Sequence, residues 1–95
     1  MITAKMKRRI KHKLANEKPT IWIGKEGTTA QIISEIDKQL EMREMEKIRI
    51  LKTALKNEKA ENLALKIADQ TGAILVEVRG HTFMLYRHRK HKREK

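Results

Sequence analysis

The chain has 95 residues, enough for one domain with one core and not for two. Apolar residues make up 39 % and charged residues 37 %, with no run near the roughly 18 apolar residues of a membrane span and no apolar signal-peptide core after Met1. Cysteine is absent, which excludes disulfides and thiolate metal sites, and the net charge of +11 calls for a polyanionic partner.

Residues 3–16 have the pattern of a helix. Thr3 can cap it, and Met6, Ile10 and Leu14 form one narrow apolar stripe. Lysines and arginines fill the rest of its circumference. Pro19, the only proline, removes a backbone donor and ends the segment. Thr20 to Ile23 is a short strand. Two glycines follow, and then Thr28 and Gln31 at capping-box spacing open a second helix. Ile32, Ile33, Ile36 and Leu40 mark its inner face as far as about Met42.

Glu46-Lys47-Ile48-Arg49-Ile50 alternates with period two, so Ile48 and Ile50 share one face of a strand and Lys47 and Arg49 the other. Thr53 to Glu58 is the strand's end, a loop and the start of a helix near Asn57. Ala60, Leu63, Ala64, Ile67, Ala68 and Thr71 carry that helix to Gly72, a left-handed stop. Ala73 to Val78 and Thr82 to Tyr86 are strands joined by a tight turn at Arg79-Gly80-His81. From His88 on nothing apolar remains, which gives a flexible basic tail over 88–95 after a domain over 1–87.

The expected fold is α/β. It is a single compact domain in the order α-β-α-β-α-β-β, with three helices and a four-stranded mixed sheet. Ile21, Ile23, Ile48, Ile50, Ile74, Val76, Val78, Phe83 and Leu85 are expected on one apolar face under the helices at 28–42 and 57–71. Trp22, Leu75, Met84 and Tyr86 are expected on the other, partly under the first helix.

The charge is segregated. Residues 1–18 hold Lys5, Lys7, Arg8, Arg9, Lys11, Lys13 and Lys18 against Glu17 alone, and residues 87–95 hold six cations against Glu94. The segment between them is neutral, with ten charges of each sign. Two basic ends on a neutral core are a field aimed at a polyanion, more than a device for solubility. An anionic membrane is a weaker match, because the first helix carries no aromatic to insert.

Gly24-Lys25-Glu26-Gly27 sits between a strand and a helix start. Glycines let a backbone approach a ligand closely, and the free amides of a helix start attract an anion. A Gly-x-x-Gly loop clamps nucleotides in KH domains. The Gly-x-x-x-x-Gly-Lys-Ser/Thr spacing of a nucleotide-hydrolysing loop is missing. Glu26 opposes a phosphate unless it points away.

Four spaced motifs then resemble a known family. They are Ile21-Trp22-Ile23-Gly24-Lys25-Glu26-Gly27, the run from Leu40-Glu41 through Arg43-Glu44-Met45-Glu46-Lys47-Ile48-Arg49-Ile50, Thr71-Gly72-Ala73, and Gly80-His81-Thr82-Phe83-Met84-Leu85-Tyr86-Arg87. Their order is similar to that of CRM domains (chloroplast RNA splicing and ribosome maturation), in the YhbY-like single-domain branch, over residues 3–87. The resemblance implies a fold similar to the C-terminal domain of translation initiation factor three. It also implies RNA as partner, with precursors of the large ribosomal subunit as the setting. The family's proposed RNA-contacting loop maps onto Gly24 to Gly27, and its basic first helix onto Lys5 to Lys13. Glu46 stands where the family usually has an apolar residue, and the family pattern gives no role to the tail.

The expected RNA-binding residues are therefore Lys5, Lys7, Arg8, Arg9, Lys11, Lys13, Gly24, Lys25, Glu26, Gly27, Thr28, Arg87, Arg89 and Lys90. The expected protein is a cytoplasmic monomer that is not an enzyme and needs no cofactor, metal, membrane or small-molecule substrate. An Alba-like nucleoid protein that coats DNA or RNA is the first alternative, and an RNA-processing enzyme the second. For the enzyme, Ser34 is the only serine and lies in a helix pattern. His88 and His91 stand among cations that oppose a metal ion. Trp22 and Tyr86 either stack on bases or pack against the first helix, and packing is the preferred reading.

Overall fold

The computed structural model describes residues 2–56 and 58–88. The elements are α1 (Ala4–Ala15), β1 (Ile21–Ile23), α2 (Ala30–Arg43), β2 (Met45–Ile50), α3 (Lys52–Leu55), α4 (Ala60–Thr71), β3 (Ile74–Arg79) and β4 (Thr82–Tyr86). The three long helices and four strands follow the expected order. The one-turn helix α3 comes in addition, within the stretch expected as strand end and loop. The third long helix begins at Ala60 rather than near Asn57, which lies outside the described residues.

The sheet order is β1-β2-β4-β3. β1 and β2 are parallel, and β4 runs antiparallel to both β2 and β3, so the sheet is mixed. The carboxyl ends of β1, β2 and β3 share one edge of the molecule. The Gly24–Gly27 loop, Leu51 and the Gly80-His81 turn all lie there.

Helices cover both faces. α2 and α4 pack Ile36, Leu40, Leu63, Ala64, Ile67 and Ala68 against Ile21, Ile23, Ile48, Ile50, Phe83 and Leu85. On the opposite face α1 sets Ile10 and Leu14 against Val76, Met84 and Tyr86. The apolar stripe of α1 is thus a docking face, and burying each large side chain contributes about 1.5–3 kcal/mol. Thr3 Oγ1 accepts from the Met6 amide at 3.1 Å and starts the helix. At its other end Lys47 Nζ donates to the carbonyls of Leu14 and Glu17 at 3.0 and 2.9 Å. A cation there satisfies free carbonyls and complements the helix dipole.

The expected division of β3 between the faces is wrong for half of the strand. Ile74 and Val76 pack under α1, while Leu75 and Val78 join the α2–α4 core. A bulge is the cause. Leu75 pairs with Leu85 and Glu77 with Met84, which leaves Val76 as an extra residue that shifts the alternation.

Candidate nucleic-acid interface

The loop after β1 is a turn closed by the Gly27 amide donating to the Gly24 carbonyl at 2.9 Å. Gly27 has φ +76, a conformation that side chains disfavour. Gly24 differs, because it is not among the residues with positive φ. A Cβ there would meet Leu51 Cδ1 at 3.8 Å, an ordinary contact. The backbone therefore favours glycine at 27 and leaves room for a Cβ at 24.

Helix α2 is capped by Thr29, not Thr28. Thr29 Oγ1 accepts from the Ile32 amide at 3.1 Å. The Thr29 amide donates to the Gly27 carbonyl, which keeps Thr28 in the loop and moves the helix start on by one residue. The capping box expected between Thr28 and Gln31 does not form. The amides of Ala30 and Gln31 sit in the first turn, where no carbonyl precedes them at helical spacing.

A cleft of about 460 Å³ opens beside the loop, lined by Gly24, Lys25, Glu26, Gly27, Thr29, Gln31, Ile32 and Glu35. Its charged side chains are one lysine and two glutamates. Any attraction for phosphate within it therefore comes from main-chain NH groups, assisted by Lys25.

The positive charge lies on α1. Lys5, Arg8, Arg9 and Lys13 are exposed, and Lys7 and Lys11 are half-buried. Of these six only Lys11 forms an ion pair among the described residues, to Glu77 at 3.4 Å. The helix and the α2 start lie on opposite faces of the sheet. β1, which leads into the loop, is an edge strand of the sheet.

Arg87 is engaged within the protein. Its side chain is 19 % exposed and reaches Asp37 at 2.5 Å, Glu41 at 3.3 Å and the Thr71 carbonyl at 2.7 Å. It ties the end of β4 to α2 and α4. Arg89 and Lys90, His91 and the flexible-tail reading lie outside the described residues. Tyr86 is buried under α1, in line with the packing reading. Trp22 is not: it is 56 % exposed and belongs to neither core cluster. Its parity puts it on the α1 side of β1, but α1 packs on β2, β3 and β4.

The sequence marks Glu46 only as a strand residue that departs from the family pattern. It is fully buried on the α2 side, sharing the parity of Ile48 and Ile50. Its Oε2 accepts from Thr20 Oγ1 at 2.8 Å, and Oε1 has no partner. Burial raises its pKa to about 7, against smaller lowering effects from the Thr20 bond and Arg43. Ser34 is exposed on α2. Among the described residues no three His, Asp or Glu side chains gather as a metal site, and no helix is long and apolar enough to cross a membrane.

The family model of the CRS1 / YhbY (CRM) domain matches residues 2–87. The chain belongs to the CRM-domain family. A relative from Methanocaldococcus jannaschii, named "Probable RNA-binding protein MJ0652", is 39 % identical over 88 residues, 93 % of this chain. The CRM domain described here matches 65 % of that relative's length, just under two thirds. The solution structure of SAV1595 from Staphylococcus aureus superposes with a TM-score of 0.75 at 32 % identity, covering 100 % of this chain and 95 % of that one.

Proposed function

We propose that this CRM domain is a non-catalytic RNA-binding module that engages precursors of the large ribosomal subunit, as a monomer in the cytoplasm. The observation that carries the reading is the outer side of α1. Five cations there, Lys5, Lys7, Arg8, Arg9 and Lys13, have no ion-pair partner among the described residues. A phosphate backbone supplies the missing counter-charge. The family match and the name of the archaeal relative both support RNA over other polyanions.

The work divides between two elements. α1 contributes a sequence-independent attraction. The Gly24–Gly27 loop and the first turn of α2 hold one stretch of backbone through Lys25 and main-chain NH groups, against the opposing charge of Glu26 on the same cleft. Base-reading side chains are scarce, so selectivity comes from RNA shape. Arg89 and Lys90 add positive charge by sequence. Arg87 is the weakest member of the proposed interface, because its guanidinium is already held by Asp37 and Glu41.

Competition at one salt concentration tests the reading. A structured fragment of large-subunit ribosomal RNA should bind at least about tenfold tighter than duplex DNA, and should remain intact on long incubation. Equal affinity would favour an Alba-like coating protein instead. Turnover of the RNA would favour an enzyme.

A further inference from the structure

At the carboxyl end of the sheet, four residues form one cross-strand row on the α1 side. Trp22 pairs with Arg49, Arg49 with Thr82, and Thr82 with Arg79. The row runs across all four strands, roughly 14 Å at normal strand spacing. It is open to solvent. Trp22 is 56 % exposed, the Arg79 side chain is 80 % exposed, and Arg49 is exposed with no ion pair among the described residues. None of the four belongs to the cluster under α1. A small cleft of about 140 Å³, lined by Ala15, Lys47, Glu77, Arg79, Thr82 and Met84, joins the row to the end of α1.

We propose that this row is a second RNA-contacting surface, on which one unstacked base lies against the Trp22 indole while Arg49 and Arg79 hold the flanking phosphates. The proposal rests on the RNA-binding reading above and adds to it a site on the sheet face. Three observations carry it. An exposed indole on a strand, outside any core, is a stacking platform that any base fits. The charges match a polyanion: the one carboxylate by the row, Glu77, already shares its two oxygens between Lys11 and Arg79, and Arg49 forms no ion pair among the described residues. The position also fits, because Trp22 stands two residues before Gly24 on the edge strand. A strand leaving the loop and rounding β1 meets the row before it meets α1. In open α/β sheets this carboxyl end is where ligands gather. The occupant is a single strand, because a base locked in a duplex cannot lie flat on an indole.

Trp22 is the only tryptophan, so its emission reports on this surface alone. A labelled oligouridylate is titrated at low salt while its anisotropy and the protein's emission are followed together. Emission should be quenched with the same midpoint as the anisotropy rise, and a blunt RNA duplex should quench far less. Trp22→Ala should weaken binding roughly 5- to 150-fold, while Trp22→Phe should restore most of it. Both variants should melt as the wild type does, since the side chain is exposed. Binding with emission unmoved and Trp22→Ala unchanged overturns this surface and leaves the RNA reading standing. Failure of the oligouridylate to bind while a structured ribosomal RNA fragment still binds overturns this surface alone, and failure of both RNAs overturns both readings. Emission that shifts with protein concentration alone would assign the row to self-association, and equal quenching by the duplex would rule out stacking.

Discussion

Glu46 shows how a single residue can oppose the fold that contains it. A carboxylate with one unpartnered oxygen in an apolar layer is costly when charged. The folded protein therefore holds the Glu46 proton more tightly than the unfolded chain does, with pKa values of about 7 and 4.5. The stability that this proton supports is fully present below pH 4.5 and is lost as pH rises through 7. A shift of that size corresponds to about 3 kcal/mol. Glu46→Gln removes the titration and keeps a group that can meet Thr20. Compared with the wild type, the variant should gain stability between pH 5 and pH 8 by up to that amount, read from urea unfolding at the two pH values. An equal difference at both would show that Glu46 does not carry the proton. The sequence shows Glu46 in a strand of period two, but a charged residue at its start gives no sign of complete burial. Nor does it show the partner Thr20, 26 residues away in sequence.

Among the elements, the loop and its helix separate what the fold needs from what a ligand needs. Gly27 is fixed by its backbone conformation, while Gly24 is not. Gly24→Ala should change stability by less than about 0.5 kcal/mol and still weaken RNA binding several-fold, because only a bound backbone needs the missing Cβ. Gly27→Ala should cost about 1–2 kcal/mol in unfolding experiments, whether or not RNA is present. Unaltered RNA affinity in a stable Gly24→Ala protein would remove the loop from the interface. The element boundaries that glycine, proline and Thr3 punctuate are legible in the sequence. The choice between Thr28 and Thr29 is not, because both side chains can cap. A hydrogen bond from the Thr29 amide to Gly27 decides it. The bulge in β3 is hidden as well: in Ala73 to Val78 apolar residues stand on both parities, so nothing in the pattern marks Val76 as the extra one.

The whole molecule measures 40 × 29 × 21 Å, and its three layers separate the proposed RNA-facing elements. α1 lies on one side of the sheet, and α2 and α4 on the other. The loop sits at the shared edge, and the Trp22 row lies on the α1 side beside it. Fold class, element order and the basic first helix can all be read from the chain, since each depends on local periodicity and charge. The exposure of Trp22 cannot, because it depends on where α1 stops on the sheet. That is a matter of packing across three strands and not of any local pattern.

In the proposed function, the outward cations of α1 bind RNA phosphates. The most direct test is the salt dependence of RNA affinity for the wild type and for a variant with Lys5, Arg8, Arg9 and Lys13 all changed to alanine. These four are exposed and have no ion-pair partners among the described residues, and alanine favours the helix, so the variant should stay folded. Its log–log slope should be shallower by about 0.7–0.9 for each phosphate that the variant no longer neutralises. A slope equal to that of the wild type would show that α1 does not meet the phosphates.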